Sequence, residues 1–280
     1  MTAPFQNRFV ELARERSALC VGIDPSAESL REWGLTDDPA GLWAFCDRMV
    51  AVCAPLVAAV KPQVAFFERH GAAGMEVLHR TVAGIHEHGA LAIIDAKCGD
   101  IASTAAAYGE AFLGPGSAFG GDAVTLSPYL GFGSLAPFLD IAEREGAGVF
   151  ILVRSSNPEG AELQRAVMGD GRTVAERLAD DIATRNAVTP SGALGPFGAV
   201  VGGTLGDEVA ALAARMPNAL LLVPGIGAQG ATIADVRGNF GEHYARVVPS
   251  VSRGIARAGP DPDALRRRIE QYVTETASEL

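Results

Sequence analysis

Eight short apolar runs recur along this chain, separated by segments with helical spacing, and that alternation restricts its fold more than any other feature. Strands are predicted near residues 19–24, 57–63, 91–97, 123–126, 148–154, 199–201, 219–223 and 246–251. Most of these runs are nearly continuous in apolar residues, the pattern of parallel strands covered on both faces. Amphipathic segments such as "MEVLHRTVAGIHEHG", "SLAPFLDIAEREG" and "TVAERLADDIATRNAV" fall between them, and a last helix is predicted from Pro262. Eight strands alternating with helices favour a (β/α)8 TIM barrel over an open doubly wound sheet. A length of 280 residues suits one such barrel, and no shift in composition marks a second domain, so a single domain over 1–280 is expected. The longest interval between strands, 155–198, holds one helix and the Gly/Asp-rich "MGDGR", where a mobile loop is expected.

Composition narrows the class of function. The net charge of −10 argues against a nucleic-acid-binding surface. Phosphorylated small molecules stay compatible with it, because backbone amides and one or two local cations hold a phosphate whatever the global charge. Cys20, Cys46, Cys53 and Cys98 show neither a CxxC pair nor metal-ligand spacing, which predicts reduced thiols in a cytoplasmic protein. The first ten residues lack the apolar region of a signal peptide. The longest apolar run, "MVAVCAPLVAAV", contains Pro55 and is too short to span a bilayer, so no membrane association is expected.

In a barrel the catalytic groups sit at the C-terminal ends of the strands. Here the first run ends in Asp24, the second in Lys61, and the third in Asp95 and Lys97, with Asp100 close behind. Strand alternation puts Leu91, Ile93, Asp95 and Lys97 on one face, so Asp95 and Lys97 point together toward the barrel mouth. Flanking acids favour the ammonium form of a lysine, which suits charge stabilisation or proton donation better than Schiff-base chemistry. A salt-bridge cluster that only pins the strand end explains the same spacing. After the seventh run, "PGIGAQG" (Pro224 to Gly230) precedes a helical segment, and "SRG" with Arg253 follows the eighth. Both lie where barrels commonly bind phosphate. His79, His86 and His88 share one predicted helix, for which a solvated surface is the simpler reading than a metal site. Neither a dinucleotide fingerprint nor a metal-spaced cluster occurs, so no cofactor and no metal are expected.

These residues resemble a known family. "DAKCGDI", with Thr104 following, is similar to the DxKxxDIxxT signature of orotidine 5′-phosphate decarboxylases. "GIDP", "VKPQVAFFE", "SPYLGFGSLAPF", "VRSSNP", "VPGIGAQG" and "SVSRGI" occur in that family's order over nearly the whole chain. "PYLGF" and "SNP" resemble its longer bacterial branch. Two departures are Cys98, where that branch often has a basic residue, and Gly133, where an Asp is common. The resemblance implies decarboxylation of orotidine 5′-monophosphate to uridine 5′-monophosphate, without a cofactor, in a homodimer whose sites cross the interface. Lys61, Asp95 and Lys97 would come from one subunit, and Asp100 and Thr104 would reach into the partner's site. Asp24 and Lys61 would hold the ribose hydroxyls, Ser156 would read the pyrimidine amide, and Gln229 and Arg253 would close on the phosphate beside Pro224 and Gly230. Two rivals share the pocket chemistry: a metal-dependent sugar-phosphate aldolase or epimerase on the same barrel, and a non-catalytic phospho-ligand sensor. "PYLGF" and "SNP" speak against the first, since the DxKxxD element alone also occurs in hexulose-phosphate synthases. Against the second, binding alone does not require a lysine set between two acids.

Overall fold

The computed structural model describes residues 3–190 and 192–277. Eight parallel strands close into a barrel in chain order: β1 (Cys20–Ile23), β2 (Ala59–Pro62), β3 (Leu91–Cys98), β4 (Ala123–Leu126), β5 (Gly148–Arg154), β6 (Phe197–Val201), β7 (Leu221–Val223) and β8 (Val247–Val251). β8 returns to pair with β1, so no edge is left open. Every predicted run becomes a strand, because residues such as Val124, Ile151 and Val223 face the outer helices while Ile93, Phe150 and Leu222 face the interior.

Between the strands lie helices whose apolar stripes cover the sheet, among them Pro39–Cys53, Gly71–Glu87, Ala136–Glu145, Val174–Asn186 and Pro262–Thr276. Their starts are fixed locally. Thr173 and Thr232 form reciprocal capping boxes with Glu176 and Asp235, and Asp261 caps the last helix with Pro262 in its first turn. The terminal residues 278–280 of that predicted helix lie outside the described residues. The interval 155–198, expected as a mobile loop beside one helix, carries a further short helix, Gly160–Gln164, and an antiparallel bridge from Val167 to Thr173.

The helix Phe5–Glu15, not among the elements expected from the sequence, plugs the N-terminal end of the barrel. Phe5 and Phe9, one helical turn apart, enter the interior cluster, and Phe5 meets Phe150 edge-on at 5.8 Å. Gly148 makes room for that ring, since a Cβ there would lie 2.4 Å from Phe5. Arg8 of the same helix donates to Asp122 Oδ1 at 2.5 Å. Asp122 Oδ2 accepts from His86 Nε2 and from the Ala92 amide, each at 2.8 Å. The plug is therefore tied to β3, to the start of β4 and to the helix between β2 and β3. With the lower end filled, the C-terminal ends of the strands are the accessible face.

Candidate active site

At that face the ends of β2, β3 and β4 converge on one carboxylate. Asp95 Oδ2 accepts from Lys61 Nζ and from Gln63 Nε2 (3.2 Å). Its Oδ1 accepts from Lys97 Nζ (2.5 Å) and from Thr125 Oγ1 (2.8 Å). Those four donors use all the acceptor directions a carboxylate has. Burial alone would favour the neutral acid, but the Lys61 and Lys97 ammonium groups outweigh it and hold Asp95 well below the usual carboxylate range. Burial likewise works against the Lys61 charge, and the Asp95 and Asp24 carboxylates reverse that, holding Lys61 above the ordinary lysine range. The two lysines differ in access: the Lys61 side chain is 7% exposed and that of Lys97 is 43% exposed. Lys61 is locked into the floor, whereas Lys97 stands at the open side of the network.

Lys97 reaches this position by a break in the strand. Leu91 and Ile93 belong to the interior cluster, so alternation does deliver Asp95 to the mouth. Beyond Asp95 the register of β3 against β4 shifts between Ile94 and Cys98, and Lys97 takes a left-handed backbone with φ 50°. That conformation costs a non-glycine residue about 1–2 kcal/mol. The Lys97 N–H donates to Thr125 Oγ1 at 3.0 Å, so one threonine hydroxyl holds both the displaced backbone and the carboxylate.

Asp100 departs from the local expectation of a lysine between two acids. Its Oδ1 accepts from the Ile101 N–H at 2.8 Å, and it forms no ion pair among the described residues. Thr104 is exposed on the helix Ala102–Phe112 that follows. Around them Ile101, Tyr108, Tyr129 and Leu130 expose apolar surface, and the Ser127 N–H bonds to Cys98 O (2.7 Å), joining the turns after β3 and β4.

The expected phosphate end is assembled from the other side of the barrel. Ser156, two residues beyond β5, donates its hydroxyl to Gln229 Oε1 at 2.8 Å. Gln229 lies in the turn from Pro224 to Gly230, where Gly225, Gly227 and Gly230 have φ of 101°, 77° and 98° that side-chain-bearing residues rarely adopt. Arg253 opens the short helix Arg253–Ala256 after β8, is exposed, and forms no ion pair among the described residues. Asp24 Oδ1 and Ser252 Oγ are buried beside Gly22 without protein hydrogen-bond partners, which suits a ligand bearing hydroxyl groups.

Three polar residues of the mouth, Gln63, Thr125 and Ser252, were not singled out from the sequence. The signal for Thr125 is its place as the lone polar residue in "AVTL"; Gln63 and Ser252 sit inside the quoted "VKPQ" and "SVSRG" stretches. Cys98 has its thiol pushed up to about 11 by burial, so it packs as a neutral group. His79, His86 and His88 make three separate contacts, with Ala118 O, Asp122 and Gly84 O, and no metal-binding group of His, Cys, Asp and Glu occurs among the described residues.

The family model for orotidine 5′-phosphate decarboxylase / HUMPS matches residues 17–269. The orotidine 5′-phosphate decarboxylase of Streptomyces coelicolor is 51% identical over 272 residues, covering 97% of this chain and 96% of that one. The Myxococcus xanthus protein of the same name is 46% identical over 270 residues, covering 96% and 94%. A crystal structure from Streptomyces avermitilis, provisionally assigned to the same enzyme, superposes with a TM-score of 0.92 at 49% identity, covering 98% of this chain and 95% of that one.

Proposed function

The chain belongs to the orotidine 5′-phosphate decarboxylase / HUMPS family, and we propose a specific route by which its residues carry out the decarboxylation. The enzyme converts orotidine 5′-monophosphate to uridine 5′-monophosphate in pyrimidine biosynthesis. The single observation that carries the residue assignment is the Lys61–Asp95–Lys97 network with its one accessible ammonium. Loss of CO2 breaks the bond from C6 to the carboxylate and leaves its electron pair on C6, in the plane of the ring and outside its conjugation. A fixed positive charge beside C6 stabilises that pair, and the same ammonium gives it a proton; the neutral amine then regains one from solvent. Lys97 fills this role, because Asp95 and the Thr125-anchored backbone fix its position before substrate arrives. The ionised Asp95 sits beside the departing carboxylate, where crowding of like charges favours its loss.

The ribose hydroxyls fit Asp24 and Lys61, where a buried acceptor beside Gly22 lacks a protein donor. Ser156 reads the pyrimidine edge, and Gln229, Arg253 and the amides of the Pro224–Gly230 turn take the 5′-phosphate, whose binding energy helps close the mouth. A homodimer completes the site, with Asp100 and Thr104 reaching the neighbouring subunit. The exposed Ile101, Tyr108, Tyr129 and Leu130 beside them support that reading. The whole chain is read as one barrel domain. All four cysteines are free, which supports a cytoplasmic enzyme, and no helix among the described residues is long and apolar enough to cross a membrane.

The test is loss of ultraviolet absorbance when the purified chain is mixed with orotidine 5′-monophosphate. Lys97→Ala is expected to lower turnover by at least ~10³-fold, the upper range for removing a preorganised charge-stabilising group, in a protein with unchanged circular dichroism. Near-normal turnover by that variant would refute the role of Lys97.

A further inference from the structure

Resting on the reading of Ser156 as a substrate contact, we infer that Arg154, Gln164 and Glu208 are positioning residues that hold Ser156 in place. Ser156 leaves β5 on an excursion that begins at Arg154 and returns through Gln164 and Arg165. Arg154 is 5% exposed. Its Nη1 donates to Ser155 O (2.7 Å) and to Gln164 Oε1 (3.1 Å), and its Nε to Glu208 Oε2 (3.3 Å). Gln164 closes the other side of the turn: Oε1 also accepts the Ser155 N–H (3.0 Å), and Nε2 donates to Ser155 Oγ (2.9 Å). Ser155 Oγ in turn donates to Asn157 Oδ1 at 2.6 Å. Ser155, directly before Ser156, is thus fixed by one glutamine and one buried guanidinium, and its hydroxyl extends the hold to Asn157 on the other side.

Two glycines let the turn sit this tightly. A Cβ on Gly160 would lie 2.8 Å from Ser155 Oγ, and one on Gly202 would lie 2.8 Å from the Ser156 amide nitrogen. The buried Arg154 charge needs a counter-ion. Glu208 supplies it from the helix Glu208–Arg215 that follows β6, and it also accepts from Arg165 Nε (3.2 Å) and Nη2. Entry and exit of the excursion are therefore tied to one carboxylate on the next helix. None of these three side chains is needed as a substrate contact; their effect passes through the Ser156 hydroxyl, which already meets Gln229 from the phosphate side.

A double-mutant cycle separates this role from a general contribution to folding. Gln164→Leu is expected to lower kcat/KM for orotidine 5′-monophosphate about tenfold in the parent chain. In the Ser156→Ala background the same change is expected to cost less than about twofold, because the group it positions is gone. Glu208→Gln is carried through the same cycle, with the same pattern expected, and it decides the matter should Gln164→Leu fail to fold. Equal losses in both backgrounds, or no loss in the parent chain, would overturn the inference while the decarboxylase reading stood. A parent chain inactive on orotidine 5′-monophosphate would overturn both.

Discussion

Replacing Thr125 by Val removes one hydroxyl and almost no volume, so it isolates the polar role of this residue. Thr125 is 1% exposed, and its Oγ1 donates to Asp95 Oδ1 at 2.8 Å while accepting the Lys97 N–H at 3.0 Å. Losing a hydrogen bond to an ionised carboxylate costs about 1.5–3 kcal/mol. The second bond holds Lys97 in a left-handed conformation that itself costs about 1–2 kcal/mol. Without the hydroxyl the Lys97 backbone gains by relaxing, and the ammonium leaves the place that Asp95 and Thr125 define for it. If about 1.4–2.8 kcal/mol of that loss is felt in the transition state, kcat falls about 10- to 100-fold. KM is expected to stay within about threefold, since Thr125 is buried beneath the network and is not open to substrate. Thr125→Ser keeps the hydroxyl and deletes a buried methyl. It is expected to lose about 1 kcal/mol of stability yet retain kcat within about threefold of the parent. The assay is steady-state decarboxylation by absorbance, paired with thermal unfolding of each variant. A folded Val variant with the parent kcat would refute the reasoning, as would a Ser variant as slow as the Val variant.

Two further outcomes follow from other parts of the structure. Mixing Lys97→Ala chains with Asp100→Ala chains is expected to restore activity, up to about a quarter of the parent level with random pairing, because one site of a mixed dimer regains both groups. A verified mixed dimer without activity would count against shared sites. Asp122→Asn is expected to destabilise the fold by about 1–3 kcal/mol, read from denaturant unfolding at neutral pH. Burial opposes the Asp122 charge, but hydrogen bonding and charge from His86, the Ala92 amide and Arg8 together hold its carboxyl below the usual range. A depressed acid contributes stability that is present above the unfolded carboxyl's pKa and is lost as pH falls through the folded value. The parent is therefore expected to lose stability on acidification more steeply than Asp122→Asn; parallel pH profiles would show that the ion cluster contributes nothing.

Much of this protein is written locally. The eight strands follow from apolar runs that can be buried on both faces only in a parallel sheet covered by helices. Asp24, Lys61, Asp95 and Lys97 follow from the rule that a barrel exposes its strand ends. Ser156 and Gln229, 73 residues apart, were assigned from family likeness to the pyrimidine and phosphate ends, and the fold brings their side chains into contact. Other features leave weaker local traces. "FQNRFVELARE" contains an amphipathic pattern, but nothing in it says that Phe5 and Phe9 enter a barrel whose opening depends on Gly148. Regular alternation accounts for Asp95 but not for Lys97, whose left-handed backbone depends on a register break and on a hydroxyl from the next strand.

The sequence by itself determined the architecture, through the period and number of its apolar runs, and named the charged groups at the strand ends, Asp24, Lys61, Asp95 and Lys97. The tertiary structure alone decided how those groups are paired. It gave Asp95 four donors from the ends of three strands, buried one lysine and left the other accessible, and set Asp100 Oδ1 on the Ile101 N–H with no ion pair to either lysine. The physical reason is the difference in range between the two kinds of information. Burial preference is a property of neighbouring residues, whereas the charge state and aim of a side chain are set by partners that chain closure brings within hydrogen-bonding reach.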